Sequence, residues 1–382
     1  MPAERRTRIL IVDDSAVMRS LLRSVVSTDS RLDSVGAAAD GSQALGCLDA
    51  VHPDLILLDV EMPVMNGLVT LKQLRARGCK VPVIMCSSLT QRGAQVTIEA
   101  LASGASDYVG KPRGQSGREE AIRTLAQELI PKIHALTSPQ EPQKQSLIPA
   151  APRAAVLFPQ TPAPGASAFP QPSAPPQVLA IGVSTGGPAA LEVLLPALPA
   201  NFPLPVLIVQ HMPELFTSLL AERLNSRCRL RVCEAAEAMP ADPGSVYIAR
   251  GNWHMEVTPA PAASARPRLH LSQGPPENYC RPAVDVMFRS VVHAYGGAVL
   301  GVVLTGMGSD GLNGSRMIRQ HGGSVLAQDE ASSIVWGMPG AVTQAGVATR
   351  VLPLQAIAPE ILKRVAPAPS QGQLTPTRRL VV

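Results

Sequence analysis

The segment Arg8-Ile9-Leu10-Ile11-Val12-Asp13-Asp14 decides the fold. An aliphatic run without a polar break ends abruptly on two carboxylates. Such a run, of strand length, describes a strand buried on both faces, as in a parallel sheet. The pattern recurs downstream. Val35–Ala38, Asp54–Leu58, Val81–Cys86 and Ser106–Val109 read as strands, while Val17–Ser27 and Gly67–Arg77 carry apolar residues at helical spacing. Five strands alternating with helices predict a doubly wound α/β domain with helices on both faces of a parallel sheet.

A second block repeats the style. Val178–Val183, Pro205–Val209, Val246–Ala249 and Ala298–Thr305 read as strands, and Pro188–Leu195 and Gly311–Gln320 as helices. Between the blocks, residues 137–177 hold eleven prolines. Proline fixes φ and lacks a backbone donor, so this stretch reads as an extended tether. The domain boundaries expected are therefore 7–125, a Pro/Ala-rich linker over 137–176, a second domain over 177–367, and a loose tail over 368–382.

Composition narrows the function. The 382 residues carry a net charge of +5 and only 3% aromatics. A modest, unclustered charge and few stacking rings argue against nucleic-acid binding. No uninterrupted apolar run is long enough for a membrane span, so no membrane insertion is expected. The six cysteines form no C-x-x-C pair. They read as reduced, buried thiols in a cytoplasmic protein.

In an open parallel sheet, ligands sit beyond the carboxyl ends of the strands. Asp13 and Asp14, Asp59, and Lys111 each follow a predicted strand. That brings three carboxylates and one ammonium into one crevice, where a hard divalent cation such as Mg²⁺ relieves the repulsion. An Asp beside Mg²⁺ and Lys can act as a nucleophile toward phosphorus. The plainer reading, that Asp13 and Asp14 only cap the following helix, stands for that pair taken alone.

The full set is D-D at one strand end, D-x-x-M-P-x-x-N-G at a second, S-S-L-T at a third and K-P at a fourth. It resembles the receiver domain of two-component response regulators. The resemblance implies a flavodoxin-like fold with Asp59 as phosphoacceptor. It also implies Mg²⁺ held by Asp13, Asp14, Asp59 and the carbonyl of Glu61. Ser87 would bind the phosphoryl group, Lys111 would pair with it, and Tyr108 would be the aromatic that moves on activation.

The second block's richest segment is Ile181-Gly182-Val183-Ser184-Thr185-Gly186-Gly187-Pro188. Two readings of it compete: a phosphate cradle at a helix start, or a nucleophile elbow presenting Ser184. A serine nucleophile needs a base and an orienting acid. His211, in Gln210-His211-Met212-Pro213, and Asp310, in Thr305-Gly306-Met307-Gly308-Ser309-Asp310-Gly311, each follow a predicted parallel strand. That places all three on one sheet edge. Taken singly, each has a structural reading: Ser184 and Asp310 as helix caps, His211 as a satisfied structural histidine. His52, His134, His254, His293 and His321 read as structural or surface residues.

G-V-S-T-G-G-P, Q-H-M-P, R-P-A-V-D-V-M-F at 281–288, L-T-G-M-G-S-D-G and W-G-M-P at 336–339 occur in this order behind the receiver-like block. Together they resemble the chemotaxis protein-glutamate methylesterase (CheB) catalytic domain, a Rossmann-like α/β fold. The resemblance implies a phosphorylation-regulated serine esterase. It would demethylate glutamate methyl esters, and deamidate glutamines, on methyl-accepting chemoreceptors, with a chemotaxis histidine kinase as phosphodonor. Ser184 would be the nucleophile, His211 the base and Asp310 its orienting acid. Met307 and the Ser184–Thr185 turn would supply oxyanion donors, Thr185 helping to orient the serine. No cofactor is implied for the ester step. Arg281 and Asp285 read as structural or substrate-positioning groups. One departure is Arg250, where the family often has proline. The alternatives are the same hydrolase in a different sensory pathway, or a catalytically silent interaction protein. A DNA-binding output ranks low, because the second block is apolar, glycine-rich and strand-alternating.

Overall fold

Both predicted sheets form. The computed structural model describes residues 5–88, 90–112, 117–137, 169–172, 174–260, 262 and 266–365. Most of the predicted 137–176 linker and the whole 368–382 tail lie outside the described residues.

The first unit runs β1 (Thr7–Val12), α1 (Ala16–Val26), β2 (Leu32–Ala38), α2 (Gly41–Val51), β3 (Leu55–Asp59), α3 (Gly67–Ala76), β4 (Val83–Ser87), α4 (Gln91–Ala102), β5 (Asp107–Gly110) and α5 (Arg118–Thr137). The strands pair in parallel in the order β2-β1-β3-β4-β5. Ile9 to Val12 and Leu55 to Leu58 are buried, as the unbroken apolar runs require. Helix starts follow strand ends closely, and α1 to α4 each have a side-chain cap. Ser15 Oγ accepts from Met18 N, Asp40 Oδ1 from Gln43 N, Asn66 Oδ1 from Val69 N, and Thr90 Oγ1 from Gly93 N. Ser15 therefore takes the capping role considered for Asp13 and Asp14, leaving those carboxylates free for the crevice.

The second unit runs β6 (Val178–Val183), α6 (Gly187–Leu194), β7 (Val206–Gln210), α7 (Glu214–Arg227), β8 (Arg231–Glu234), β9 (Ser245–Ile248), β10 (His254–Thr258), β11 (Arg268–Ser272), α8 (Val284–Tyr295), β12 (Val299–Val303), α9 (Leu312–Gln320), β13 (Ser324–Gln328), α10 (Met338–Gln344), β14 (Arg350–Leu352) and α11 (Leu354–Val365). Seven strands pair in parallel in the order β14-β13-β12-β6-β7-β9-β8, and β10 and β11 form a separate antiparallel pair. The chain winds outward from β6 through β7, then returns to lay β12 on the other side of β6. That reversal makes the β12/β6 boundary the switch point where ligands bind in such sheets.

The two units pack together. Helix α4 lies against α6 and α7, and one apolar cluster continues from Ala94, Ile98 and Tyr108 into Leu191, Phe216 and Leu220.

Candidate functional site

The receiver-like pocket assembles as the strand ends predict. Lys111 Nζ lies 2.8 Å from Asp13 Oδ2 and 2.7 Å from Asp59 Oδ1. Asp13 and Asp59 are buried, and Asp14 is exposed at the rim. Burial pushes the Asp59 carboxyl up to about 6; Lys111 opposes that and Asp13 adds to it. Asp13, Asp14 and Asp59 each offer an oxygen within 4.8 Å of the others. This all-oxygen donor set fits a hard divalent cation. The Glu61 amide donates to Asp59 Oδ1 at 3.4 Å. The Ser87 hydroxyl is buried, donating to Ser88 O at 3.1 Å and accepting from Thr97 Oγ1 at 2.8 Å.

Ser184 sits one residue past β6, in a turn held by the sheet. Its amide donates to Thr305 O at 3.0 Å, and its carbonyl accepts from Gly187 N at 2.8 Å and from Gln210 Nε2 at 3.0 Å. Gly186 adopts φ +77°, and a Cβ there would meet Ile334 at 2.7 Å, so the turn requires glycine. No side chain caps α6, so Ser184 is not a helix cap and its hydroxyl is left to the cavity.

His211 follows β7, the strand next to β6, and its amide donates to Val183 O. Its Nε2 donates to Asp310 Oδ2 at 2.8 Å. Asp310 is held from several directions. Oδ2 also accepts from Val284 N at 2.6 Å, while Oδ1 accepts from Asp285 N at 3.0 Å, Gly311 N at 2.9 Å and Asn278 Nδ2 at 2.8 Å. Asp310 thus caps α8, a long-range partner, rather than only the adjacent α9 expected from sequence. Burial alone would depress the imidazole. Its bonds to Asp310 and Cys280 outweigh that and hold His211 up at about 9. Asp310 lies below the usual carboxylate range, because its imidazole and amide partners outweigh the upward push of burial.

Ser184, His211 and Met307 line one cavity of ≈ 660 Å³. Among the described residues, no hydrogen bond joins Ser184 Oγ to the imidazole, and the ring nitrogen not engaged by Asp310 is Nδ1.

The structure adds contacts at Thr185, Tyr108 and Cys280 that the sequence reading did not give. The Thr185 hydroxyl, expected to orient the serine, donates instead to Asp107 Oδ2 of the first unit at 2.7 Å. Tyr108 is buried, stacked on Phe216 of α7 with centroids 4.6 Å apart. Cys280 is not a core thiol: its Sγ lies 3.6 Å from His211 Nδ1. Of the six cysteines, only Cys86 is buried and all are unpaired.

Further functional residues escape sequence reasoning. Asn278 Nδ2 bridges Asp310 Oδ1 and Asp285 Oδ2. Asp107 Oδ1 lies 3.6 Å from Lys132 Nζ, which donates to Tyr108 O at 2.6 Å. These pairings join positions far apart in the chain, and no local motif marks them. Asp285, buried, accepts from Gly314 N at 2.6 Å, and Arg281 donates to Gln273 O, Gly274 O and Asn252 Oδ1. Both brace loops of the site. Arg250 bonds Glu214 at the start of α7 and lies over the Trp253 ring, stapling the loop after β9 beside His211.

Comparison with known proteins agrees with this architecture. The family model for the CheB methylesterase matches residues 179–361, and that for the response regulator receiver domain matches residues 9–123. A protein-glutamate methylesterase/protein-glutamine glutaminase of Trichodesmium erythraeum (strain IMS101) is 46% identical over 364 residues, covering 94% of this chain and 99% of that one. One from Nocardioides sp. (strain ATCC BAA-499 / JS614) is 49% identical over 367 residues, covering 94% and 95%. The crystal structure of the Thermotoga maritima CheB methylesterase catalytic domain aligns with 39% identity and a TM-score of 0.47, covering 49% of this chain and 98% of that one. A receiver followed by a methylesterase domain, matched by relatives along nearly its whole length, places this chain in the protein-glutamate methylesterase/protein-glutamine glutaminase (CheB) family.

Proposed function

We propose that this protein is a phosphorylation-regulated serine hydrolase. It cleaves γ-glutamyl methyl esters, and the side-chain amides of selected glutamines, on methyl-accepting chemoreceptors. The observation that carries the reading is that Ser184 and His211, following the adjacent parallel strands β6 and β7, line one cavity, with Asp310, following β12 on the other side of β6, bonded to the imidazole.

Ser184 Oγ attacks the ester carbonyl while His211 Nδ1 takes its proton. Asp310 holds the ring through Nε2 and stabilises the imidazolium. The amides of Met307 and Thr185 receive the oxyanion, the Ser184 amide being held by Thr305 O; each such donor is typically worth about 3–4 kcal/mol in the transition state. The imidazolium returns its proton to the departing methoxide, releasing methanol. Water, deprotonated by the same imidazole, then frees the glutamate carboxylate. With glutamine the leaving group is ammonia and the steps are unchanged.

The receiver supplies control. Asp59 accepts a phosphoryl group from a histidine kinase. Asp13, Asp14, Asp59 and the Glu61 carbonyl would hold Mg²⁺, whose charge offsets that of the transferring phosphoryl group. Lys111 adds its own positive charge. In the unphosphorylated arrangement, the start of β5 covers the esterase face through the Thr185–Asp107 bond and the Tyr108–Phe216 stack, and α4 packs against α6 and α7. Phosphorylation reorders that receiver face and loosens the contact. Six unpaired thiols fit a reducing, cytoplasmic setting.

The test is methanol release from methylated receptors, with and without a small phosphodonor. The reading expects release that rises with the donor. No release under either condition would overturn it.

A further inference from the structure

We infer that Cys280 and His211 form a binding site for a soft divalent metal ion of the Zn²⁺ class, whose occupancy shuts the hydrolase off. The inference rests on the proposed role of His211 as proton acceptor, but the site itself is argued from geometry.

His211 presents its two ring nitrogens to two different partners. Nε2 donates to Asp310 Oδ2 at 2.8 Å, and Nδ1 lies 3.6 Å from Cys280 Sγ. A tetrahedral Zn²⁺ with ordinary Zn–N and Zn–S bonds holds its nitrogen and sulfur ligands about 3.5 Å apart. Nδ1 and Sγ are therefore already at the separation that one ion would impose. Metal-ligating histidines almost always give their other N–H to a carboxylate, which fixes the tautomer and raises ligand basicity. Asp310 fills that role. It is not itself a ligand, because its two oxygens already accept from His211, Asn278 and three backbone amides.

The thiol is positioned as firmly as the imidazole. Residues 277–280 form a tight turn closed by Cys280 N to Glu277 O at 2.9 Å and Glu277 N to Cys280 O at 3.1 Å. Asn278 and Tyr279 there take φ +53° and +63°. The Asn278 side chain ties the turn to Asp310. Cys280 and His211 both border the ≈ 660 Å³ cavity, which leaves room for water to complete the coordination.

On binding, the thiol loses its proton to solvent and the sulfur lone pair bonds the ion. Nδ1 gives its lone pair to the same ion, so it cannot accept the Ser184 proton. A thiolate–imidazole pair selects Zn²⁺ over the hard Mg²⁺ expected at the all-oxygen receiver pocket.

The experiment uses the full chain and two independent readouts. Co²⁺, as a spectroscopic probe, should give a thiolate-to-metal charge-transfer band in the wild type. The same band should appear in Ser184→Ala and be missing from Cys280→Ser and Cys280→Ala. Zn²⁺ at micromolar concentration should suppress methanol release. In the Cys280 variants, each scaled to its own metal-free rate, that sensitivity should fall by about tenfold or more, since loss of even an outer-shell partner costs 10–100-fold in affinity. The band does not depend on turnover, so a protein that binds Co²⁺ but releases no methanol would disprove the function and leave the site standing. A band that persists in folded Cys280 variants, or equal Zn²⁺ sensitivity with and without the thiol, overturns the site.

Discussion

The phosphoacceptor pocket and the esterase site occupy the same place in two sheets of the same class, yet they solve opposite electrostatic problems. At the ends of β1, β3 and β5, two buried carboxylates share one ammonium and stay crowded with negative charge. Burial pushes Asp59 up, Asp13 adds to the rise, and the crowding invites a cation. At the ends of β6, β7 and β12, one carboxylate is saturated by donors and faces one imidazole. There the charge is balanced and the imidazole is driven up. A strand-end crevice supplies a location; the count of charges and donors around it selects between accepting a phosphoryl group and moving a proton.

Ser184→Ala gives the largest expected effect. It should cut methanol release by roughly 10⁴-fold or more, as for nucleophile removal in other serine hydrolases. Phosphorylation of Asp59, followed with a radiolabelled phosphodonor, should be unchanged, so the two sites separate cleanly. Loss of both activities together would show that they are not independent.

Asp310→Asn comes next, at about 10⁴-fold in kcat from the wrong tautomer. It should also lower the thermal midpoint, because Asp310 caps α8. Measuring both tells whether the carboxylate serves chemistry, structure or both.

The third expectation concerns pH. With His211 held up at about 9, the neutral base grows about tenfold per pH unit below that value. Esterase kcat/KM should therefore climb about fiftyfold from pH 7 to 9 and level about twofold higher above that. The stability sign runs the other way. A histidine raised above its unfolded value of about 6.5 stabilises the fold fully below that pH. That contribution is lost as the pH rises through about 9. A flat rate profile over this range would remove the imidazole from the rate-limiting step.

The smallest effect expected is at the seam between the sites. Asp107→Ala removes the acceptor of the Thr185 hydroxyl and the partner of Lys132. A hydrogen bond to a charged group is worth about 1.5–3 kcal/mol. Unphosphorylated esterase activity should rise by roughly ten- to a hundredfold at the full value of that bond, Lys132 keeping its existing pairing with Glu128. The fully phosphorylated rate should stay the same. An unchanged basal rate would mean that this contact does not restrain the enzyme.

The sheets were legible because parallel strands buried on both faces are continuous aliphatic runs. Val178–Val183 reads the same in sequence and structure, and the other runs shift by a few residues at most. β13 and β14 were not, because five and three residues of mixed polarity leave too little pattern. The β10–β11 pair alternates polar and apolar residues around Trp253-His254-Met255, a signal easily passed over. In the candidate site, Ser184, His211 and Asp310 could be picked out as candidates because each follows a strong strand. Asn278, Asp107 and Cys280 could not, since each acts on a residue at least 32 positions away. The Thr185 hydroxyl illustrates the limit. Its neighbour in sequence is the proposed nucleophile, while its partner in space belongs to the other domain.

The position of Asp310 at the start of α8 has a consequence for the protein's history. A carboxylate that both steadies an imidazole and terminates a distant helix cannot be surrendered by mutation without weakening the fold. Copies that had lost every receptor to act upon would still be under pressure to retain that acid. Its survival in a drifting lineage is accordingly poor testimony that the hydrolase still works, and Ser184 is the more informative residue to inspect.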